Sequence, residues 1–406
     1  MGNLLAKAKM VHEEKVQRID KWIERGIFAF LIFLPIISPV SVLSLLFILI
    51  LFIYKLKLDR SFLKEIPLNL WMLIFILCVL LSVIFSTYKL FSLGAFILFI
   101  FYPITYFIFA NSPLSEKKIL NAILISGLIV TVFGVVEYLT KLGFEYHNRF
   151  LNITITGPIT GIGSTLGWPN RLSKFLILIT PIVITTSFVE KSVKRKIISY
   201  LFIILSLICL LLTKCLTGMI AIFAILMAIL FFRRKKVFAI LLIGSIILSV
   251  FNISYLRLIA DRYGAMGVRF YSWRNTIPKI FRHYPLTGSG LGTYLKISPE
   301  YDKEHKGVYS HAHNLYLHYL SETGILGLGS FLLVIIMFFY YTIIYLRKSS
   351  FYSCRGIIAG GTFGIFGSLI FGMTETVIDY FQIGLLFFSI IGINMGLINK
   401  NKNVSL

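Results

Sequence analysis

The chain alternates between long apolar segments and short polar, often basic segments from Ile27 to Ile398. The apolar segments are continuously hydrophobic, which predicts helices; lipid-facing strands would alternate with polar positions. A bilayer core about 30 Å thick needs about 20 apolar helical residues for each crossing. The pattern therefore predicts an all-α integral membrane protein with about twelve transmembrane helices, at 27–38, 40–54, 68–84, 90–110, 119–139, 175–188, 197–212, 216–232, 237–251, 325–345, 356–373 and 381–398.

Composition supports a membrane protein. Of 406 residues, 57% are hydrophobic and 14% are charged, whereas a soluble domain carries about 25% charged residues. We predict a single polytopic membrane domain over 1–406. The first two runs are short and interrupted by Pro35 and Pro39, so they could instead form one re-entrant pair. The four cysteines form no CxxC pair, which supports neither a disulfide framework nor a zinc site.

The positive charge has two interpretations. A net charge of +23 could indicate nucleic-acid binding, but in a membrane protein basic loops set the orientation. Lys and Arg concentrate before the first span, in alternate loops and in the tail. This predicts cytoplasmic N- and C-termini and no nucleic-acid partner. Two long connections, 141–174 and 253–314, then lie outside, and we predict that 253–323, between spans 9 and 10, forms an external lid.

The lid holds the strongest candidate for chemistry. His313 lies where this segment meets a helix, in Ser310-His311-Ala312-His313-Asn314, and a partly buried histidine there can act as a general base. Gly324 and Gly327, three residues apart, would let a neighbouring helix approach closely. The alternative is a polar helix start followed by packing glycines.

A second candidate lies upstream. Arg269 and Trp273 are four apart and would share a helical face, and arginine suits phosphate oxygens. In the glycine-rich stretch 285–294, backbone N–H groups could point toward an anion. Its spacing is neither that of a P-loop nor that of a dinucleotide fingerprint.

Taken in order, these motifs resemble the O-antigen ligase family, which includes related O-antigen polymerases. The elements are Arg269-x3-Trp273, Pro285-x2-Gly288-x-Gly290-x-Gly292 and His313-Asn314-x9-Gly324-x2-Gly327. The resemblance implies a GT-C-type bundle and a metal-independent, inverting glycosyltransferase of lipopolysaccharide biosynthesis in the bacterial inner membrane. Such an enzyme moves a glycan from undecaprenyl diphosphate to a lipid A–core acceptor at a periplasmic active site.

The resemblance also implies residue roles. His313 would deprotonate the acceptor hydroxyl, and Arg269 would hold the departing diphosphate. Asn170, Arg171, Trp273 and Asn314 would help to bind diphosphate or sugar. No metal, nucleotide or other cofactor is implied; the partners are the lipid-linked donor, the acceptor and membrane lipids.

One position departs from the family. Its second arginine falls at Leu216, in the turn between the seventh and eighth spans, and Lys214 is the nearest cation. Our hypothesis is that Lys214 substitutes for it, although lysine binds phosphate as a point charge. The alternative is a lysine that snorkels at the interface.

Some residues have competing interpretations. Asn170 suits a helix N-cap equally well. Four histidines, His305, His311, His313 and His318, suggest a metal site, but no cysteine or HExxH pattern supports one. The carboxylates predicted near the outer surface are Glu137, Glu322, Glu375 and Asp379. Glu322 is nine residues from His313 and would not share its helical face, so it is not expected to be that histidine's partner.

Two other functions compete with ligation. A polymerase would use the same donor and attack a second lipid-linked glycan. A polysaccharide transporter or flippase would need charged or broken helices near the midplane, whereas the predicted spans are nearly free of charge at their centres.

Overall fold

The computed structural model describes residues 2–59, 66–140, 147–148, 153–154, 161–242, 264–302, 311–348, 354–378 and 380–402. Most of them are helical. The helices are α1 (Gly2–Phe33), α2 (Ser38–Leu58), α3 (Leu68–Ile84), α4 (Lys89–Phe99), α5 (Phe101–Ala110), α6 (Glu116–Thr140), α7 (Pro169–Ser187), α8 (Val193–Leu212), α9 (Leu216–Arg233), α10 (Gly264–Tyr271), α11 (Ile277–His283), α12 (Tyr294–Tyr301), α13 (Leu315–Lys348), α14 (Cys354–Phe371) and α15 (Phe381–Lys402). A 3-10 turn spans Ser164–Leu166, a π-helical turn spans Ser272–Thr276, and β1 (His147–Asn148) pairs antiparallel with β2 (Ile153–Thr154).

The predicted all-α membrane class is confirmed. In the described ranges, eight helical segments are long and apolar enough to cross a membrane, α4 and α5 counting as one segment from Lys89 to Ala110. That segment is interrupted at Ile100, because Pro103 cannot donate the helical hydrogen bond to Phe99. The 17-residue α3 is shorter but apolar. These helices make the chain a multi-pass membrane protein.

Three of the predicted spans are not among these long apolar segments. Runs 27–38 and 175–188 lie largely in α1 and α7, and run 237–251 is helical as far as residue 242, its remainder lying outside the described residues. The predicted count of twelve therefore stays a prediction. With 21 residues, α2 is about 31 Å long, the length of a complete crossing rather than of half a re-entrant pair.

The α7 helix forms the centre of the bundle. A stripe of glycines on α14 faces it, and a Cβ at Gly360 would lie 2.3 Å from the Cα of Ile182. Gly356 and Gly364, one turn to either side, would meet the α7 backbone at 2.9 Å and 2.6 Å. Small residues four apart let two backbones pack closely within a membrane. This contact holds the start of α7 beside the end of α14.

Connections from different parts of the chain meet at one end of the bundle, which we call the site end. It contains 34–37, 85–88, 161–168, 213–215, 311–314 and 372–380. Hydrogen bonds join them: Thr165 Oγ1 donates to Pro35 O (2.7 Å), Thr87 N donates to Ser289 O (3.2 Å), and the hydroxyls of Thr217 and Thr374 lie 2.7 Å apart. All of these segments belong to connections that the charge pattern predicts on one side of the membrane.

The α13 helix is broken at Gly324, whose φ of 62° and ψ of −165° are not helical. The glycine-rich turn 285–294 pairs with the break, since Ile325 N donates to Pro285 O (3.0 Å) and Gly290 N donates to Glu322 O (2.9 Å). The backbone groups released by the break therefore keep partners. At Gly324 a loop makes the close contact and not the helix that the sequence predicts, while the approach of a helix to Gly327 stays a prediction. A Cβ at Gly324 would lie 2.3 Å from Leu286 O.

The helices α10 to α12 carry a small apolar cluster of their own. Ile277, Ile280, Tyr294, Ile297 and Ala312 are buried together, apart from the main core. These residues belong to the segment 253–323 that the sequence predicts as a lid. The cluster holds this segment against the start of α13.

Candidate active site

Glu375 lies at the centre of a group of polar side chains at the site end. It belongs to the connector 372–380 between α14 and α15, and its side chain is 6% exposed. His313 Nδ1 lies 3.1 Å from its Oε1, Asn170 Nδ2 donates to its Oε2 at 3.1 Å, and Arg269 NH2 lies 3.6 Å from the same Oε2. One buried carboxylate thus joins α7, α10 and the start of α13.

The surroundings keep Glu375 ionised. Burial alone raises the pKa of a carboxyl group. Here the hydrogen bond with His313 and the positive charge of Lys174, with smaller contributions from His313 and His311, outweigh burial and lower the pKa of Glu375 from 4.5 to about 2. The group is a carboxylate at neutral pH and can only accept hydrogen bonds.

The two histidines beside Glu375 make different contacts. Because Glu375 only accepts, His313 Nδ1 donates in their hydrogen bond, which leaves Nε2 to act as the base. His311 Nδ1 lies 3.5 Å from the same oxygen and also 3.3 Å from the backbone N of His313, from which it can accept. His313 is therefore the histidine that Glu375 orients as a base.

The backbone around His313 is strained and held in place. His313 has a φ of 50°, a left-handed conformation that is uncommon for residues other than glycine. Asn314 caps α13, since its Oδ1 accepts Leu317 N at 3.0 Å, and its Nδ2 donates to Met373 O at 2.8 Å. Strain of this kind is found at functional sites.

Arg269 and Trp273 both point toward the site, as their spacing predicts. Arg269 NH1 donates to Thr374 O at 3.0 Å, and Trp273 Nε1 donates to Ala312 O at 2.7 Å. The guanidinium has five N–H donors, and its side chain is 24% exposed. It can bind an anion while it remains attached to the connector.

Two further cations lie on one aromatic ring. The guanidinium of Arg171 is 4.1 Å, and Lys174 Nζ is 4.4 Å, from the ring centroid of Tyr380. Lys174 is 1% exposed, and within the described part of the chain Arg171 Nε is buried without a hydrogen-bond partner. With Arg269, these residues place three cations against the connector 372–380 that carries Glu375.

Lys214 occupies the turn between α8 and α9. Its side chain is exposed and its φ is 54°, a second non-glycine residue in the left-handed region. The flanking hydroxyls connect this turn to the site: Thr213 Oγ1 accepts from Ser173 Oγ at 3.1 Å, and Thr217 contacts Thr374. Lys214 therefore stands at the rim of the site, whereas Lys174 lies inside it.

The glycine-rich turn binds an anion within the chain. Gly292 N donates to Glu322 Oε2 at 2.8 Å and Tyr294 N donates to Oε1 at 2.9 Å. Gly290 and Gly292 have φ values of 117° and 75°, which glycine adopts readily. The expectation that these N–H groups point to an anion is correct for the geometry, but the anion is the carboxylate of Glu322.

Comparison with known protein families gives a match that covers part of this site. Residues 201–332, about a third of the chain, match the family model described as O-antigen ligase. Over these residues the chain is similar to that family. The resemblance predicted from the sequence motifs is thus confirmed. No curated protein matches the chain.

The O-antigen ligase match contains only part of the site. It includes Lys214, Arg269 and His313 but not Lys174 or Glu375. Sequence reasoning placed Glu375 near the outer surface but did not pair it with His313, and it did not consider Lys174 at all. The available signals were a carboxylate in a short connector between two apolar helices and a lysine within an apolar helix, since such a charge is costly unless it has a function or a partner.

A metal could in principle be bound here. One ligand atom each from His311, His313 and Glu375 lie within 4.8 Å of one another. However, Arg269 contacts the same carboxylate and Lys174 lowers its pKa, so an added cation would be repelled. His318, another of the four histidines, lies near Glu322 instead, and His305 is outside the described residues. The absence of a metal cofactor stays a prediction.

Proposed function

We propose that this chain is an O-antigen ligase-like glycosyltransferase, inverting and metal-independent, that transfers a glycan from undecaprenyl diphosphate to lipid A–core. The observation that carries the proposal is the hydrogen bond of His313 to the ionised Glu375 beside Arg269. The carboxylate orients the imidazole and stabilises the imidazolium that forms when Nε2 accepts a proton. The family match supports the class of reaction.

The proposed reaction is a single displacement. His313 Nε2 takes the proton from the acceptor hydroxyl as its oxygen attacks the anomeric carbon. The bond between that carbon and the diphosphate oxygen breaks, and its electron pair leaves with undecaprenyl diphosphate. A new glycosidic bond forms with inverted configuration. No nucleotide is consumed, because the carrier diphosphate is already a good leaving group.

The cations would bind this leaving group. Arg269, Arg171 and Lys174 contact the connector that carries Glu375, and positive charges of this kind suit a diphosphate. Lys214 at the rim would contribute as a point charge. Fixed positive charge where negative charge develops is often the largest contribution to rate acceleration.

The test is transfer by purified protein in lipid nanodiscs that is given a lipid-linked glycan and lipid A–core. His313→Ala and Arg269→Ala should each reduce product by at least 10²-fold while leaving the melting temperature within a few degrees. A polymerase would instead lengthen the lipid-linked glycan without lipid A–core, so the two acceptors are supplied separately. Full transfer by both variants would show that these residues are wrongly assigned.

The proposed periplasmic location is tested by labelling. Lys214→Cys reports on the site end and Lys235→Cys on the opposite end, and both positions are exposed. In a background without the four native cysteines, a membrane-impermeant maleimide should label position 214 but not 235 in cells with a permeabilised outer membrane. The reverse pattern would contradict the proposal, because donor and acceptor would then lie on the other side.

Metal independence has its own test. Transfer should be unchanged after dialysis against a strong chelator, because the cations around Glu375 disfavour a bound metal ion. Loss of transfer that is restored by added Zn²⁺ would instead assign His311, His313 and Glu375 as ligands.

A further inference from the structure

Four successive exposed cations form a bend at the end of α9, opposite the site end. They occupy residues 233–236, which we call the basic corner. The chain leaves the helix at Arg234, whose φ is −143°, and residues 235–242 are helical again. Phe231 and Phe238, on either side of the bend, have ring centroids 5.1 Å apart. This ring contact braces the bend, so the four cations lie on one defined corner of the bundle.

Arg233 has a fixed position within the basic corner. Its guanidinium carbon lies 3.9 Å from the ring centroid of Phe188, the residue that follows α7. A guanidinium stacked on an aromatic face can still donate hydrogen bonds from its edge. Stacking also removes rotamer freedom before any ligand arrives, so less entropy is lost on binding. The corner therefore presents a preorganised fork of N–H donors.

Positive charge is in excess around the basic corner. The stretch 188–196, from the end of α7 into α8, adds four cations and contains one carboxylate, Glu190. That carboxylate is already engaged, because Oε1 accepts Lys191 N and Ser192 N at 2.9 Å each and Oε2 lies 3.8 Å from Arg195. Within the described ranges, none of the four corner cations forms an ion pair. The corner is thus suited to an anion from outside the chain.

Apolar surface lies directly beside these cations. Phe232 is 73% exposed and Ile240 is 68% exposed, one on each side of the bend. The helices α8 and α9 are joined by the turn 213–215, yet α8 packs on α6 and α7, and α9 packs on α7 and α14, rather than along each other. They therefore diverge from the turn toward the basic corner, which gives lipid chains access to the space between them.

We infer that the basic corner binds the headgroup of an anionic phospholipid, with Arg233 donating to its phosphate. An anionic phospholipid supplies both a phosphate for the cations and acyl chains for the apolar surface. A soluble polyanion would leave Phe232 and Ile240 unmatched, and a zwitterionic lipid brings a cation that the corner repels. The inference goes beyond the proposed glycosyl transfer and does not depend on it.

The first experiment removes two charges from the corner. Full-length protein in a neutral detergent is titrated with phosphatidylglycerol or phosphatidylcholine, and bound lipid is counted by native mass spectrometry. Arg233→Gln/Arg234→Gln should weaken the binding of the first phosphatidylglycerol about tenfold or more and leave phosphatidylcholine binding unchanged. Because the positions are exposed, the melting temperature without lipid should match that of the wild type.

The matched control separates a specific site from attraction by net charge. Arg347→Gln/Lys348→Gln removes the same charge from exposed positions at the end of α13, on the same side of the bundle. This variant should bind phosphatidylglycerol as the wild type does. Equal losses in the two double variants, or a wild type that binds both lipids equally, would overturn the site.

The second experiment leaves the charge in place and removes the stacking. Phe188→Leu should weaken phosphatidylglycerol binding about two- to fivefold, whereas the control Phe223→Leu, an exposed phenylalanine within α9, should have no effect. Unchanged binding in Phe188→Leu would overturn the role of a fixed Arg233.

A competition assay distinguishes lipid from soluble anions. Inorganic phosphate and polyglutamate are each added to the wild-type complex with phosphatidylglycerol, with sodium chloride at equal ionic strength as the reference. Neither should displace more lipid than sodium chloride does, because neither covers the apolar surface. Specific displacement by either one would assign the corner to a soluble anion and overturn the lipid assignment.

Discussion

His313 Nδ1 lies 3.1 Å from Oε1 of Glu375, a residue 62 positions further along the chain. The carboxylate accepts the Nδ1 proton and so fixes which nitrogen of the ring is basic. His311 contacts the same oxygen at 3.5 Å but uses its Nδ1 as an acceptor for the His313 backbone. One carboxylate therefore assigns different roles to two neighbouring histidines.

Replacing Glu375 by Gln should reduce kcat about 10²- to 10⁴-fold. The amide can donate to His313 Nδ1, which would move the ring proton to Nε2 and remove the base. His311→Ala should reduce kcat less than tenfold, since its Nδ1 is only an acceptor within the loop. Glu190→Gln at the opposite end, where the carboxylate accepts Ser192 N, serves as the control. Equal losses in the His311 and Glu375 variants would contradict the assignment of His313 as the base.

The contribution of Glu375 to the stability of the fold should change with pH only in acid. Its pKa is about 2 in the folded protein against 4.5 ordinarily, so its ionisation stabilises the fold fully above pH 4.5 and less as the pH falls toward 2. The contribution is on the order of 3 kcal/mol. We expect wild-type and Glu375→Gln protein to differ in melting temperature at pH 7 and to converge only as the pH falls to about 2. A gap that widens in acid would mean that the carboxyl group is protonated in the native state.

Replacing Lys174 and replacing Lys214 should change KM for the lipid-linked donor by different factors. Lys174→Met removes a buried charge beside Glu375 and should raise KM for the lipid-linked donor at least tenfold. Lys214→Met should raise it by a smaller factor, because an exposed charge is screened by solvent. Lys191→Met, exposed at the opposite end, should change nothing. Unchanged transfer by Lys214→Met would end the hypothesis that Lys214 replaces the family's second arginine.

The break in α13 should not tolerate a side chain. Gly324→Ala places a Cβ 2.3 Å from Leu286 O at a positive φ and should destabilise the fold by about 2 kcal/mol or more. Gly329→Ala, a helical glycine whose Cβ would meet nothing within 4 Å, should be neutral or slightly stabilising. Thermal unfolding in nanodiscs measures both. Equal melting temperatures for the two variants would show that the turn 285–294 can shift to accommodate a Cβ at residue 324.

The sequence predicted those features that depend on local pattern. Apolar runs long enough to cross a bilayer became helices, because lipid leaves the backbone few other choices. Arg269, Trp273 and His313 converge as predicted, since two of them are one turn apart and the third begins a helix. The motif spacing also predicted the likeness to the O-antigen ligase family, which the match over 201–332 confirms.

The remaining features depend on contacts between distant segments. Nothing near His313 in the sequence identifies Glu375 as its partner. The pairing exists because the start of α13 is hydrogen-bonded to the connector after α14, with Leu315 N donating to Gly372 O (2.7 Å) and Asn314 Nδ2 to Met373 O (2.8 Å). Lys174 could not be distinguished from an interfacial lysine until its position under Tyr380 was known. The glycine-rich turn was predicted to hold an anion, but only the tertiary structure shows that Glu322 supplies it.

The non-helical residue Gly324 mechanically separates two parts of α13. Residues 325–348 are about 36 Å long and coincide with the predicted membrane span, whereas 315–323 follow directly on the segment that holds His313. Helices adapt to thicker or thinner bilayers by tilting. We expect the joint at Gly324 to take up such a tilt, so that the imidazole keeps its place over the carboxylate when the lipid composition of the host membrane changes.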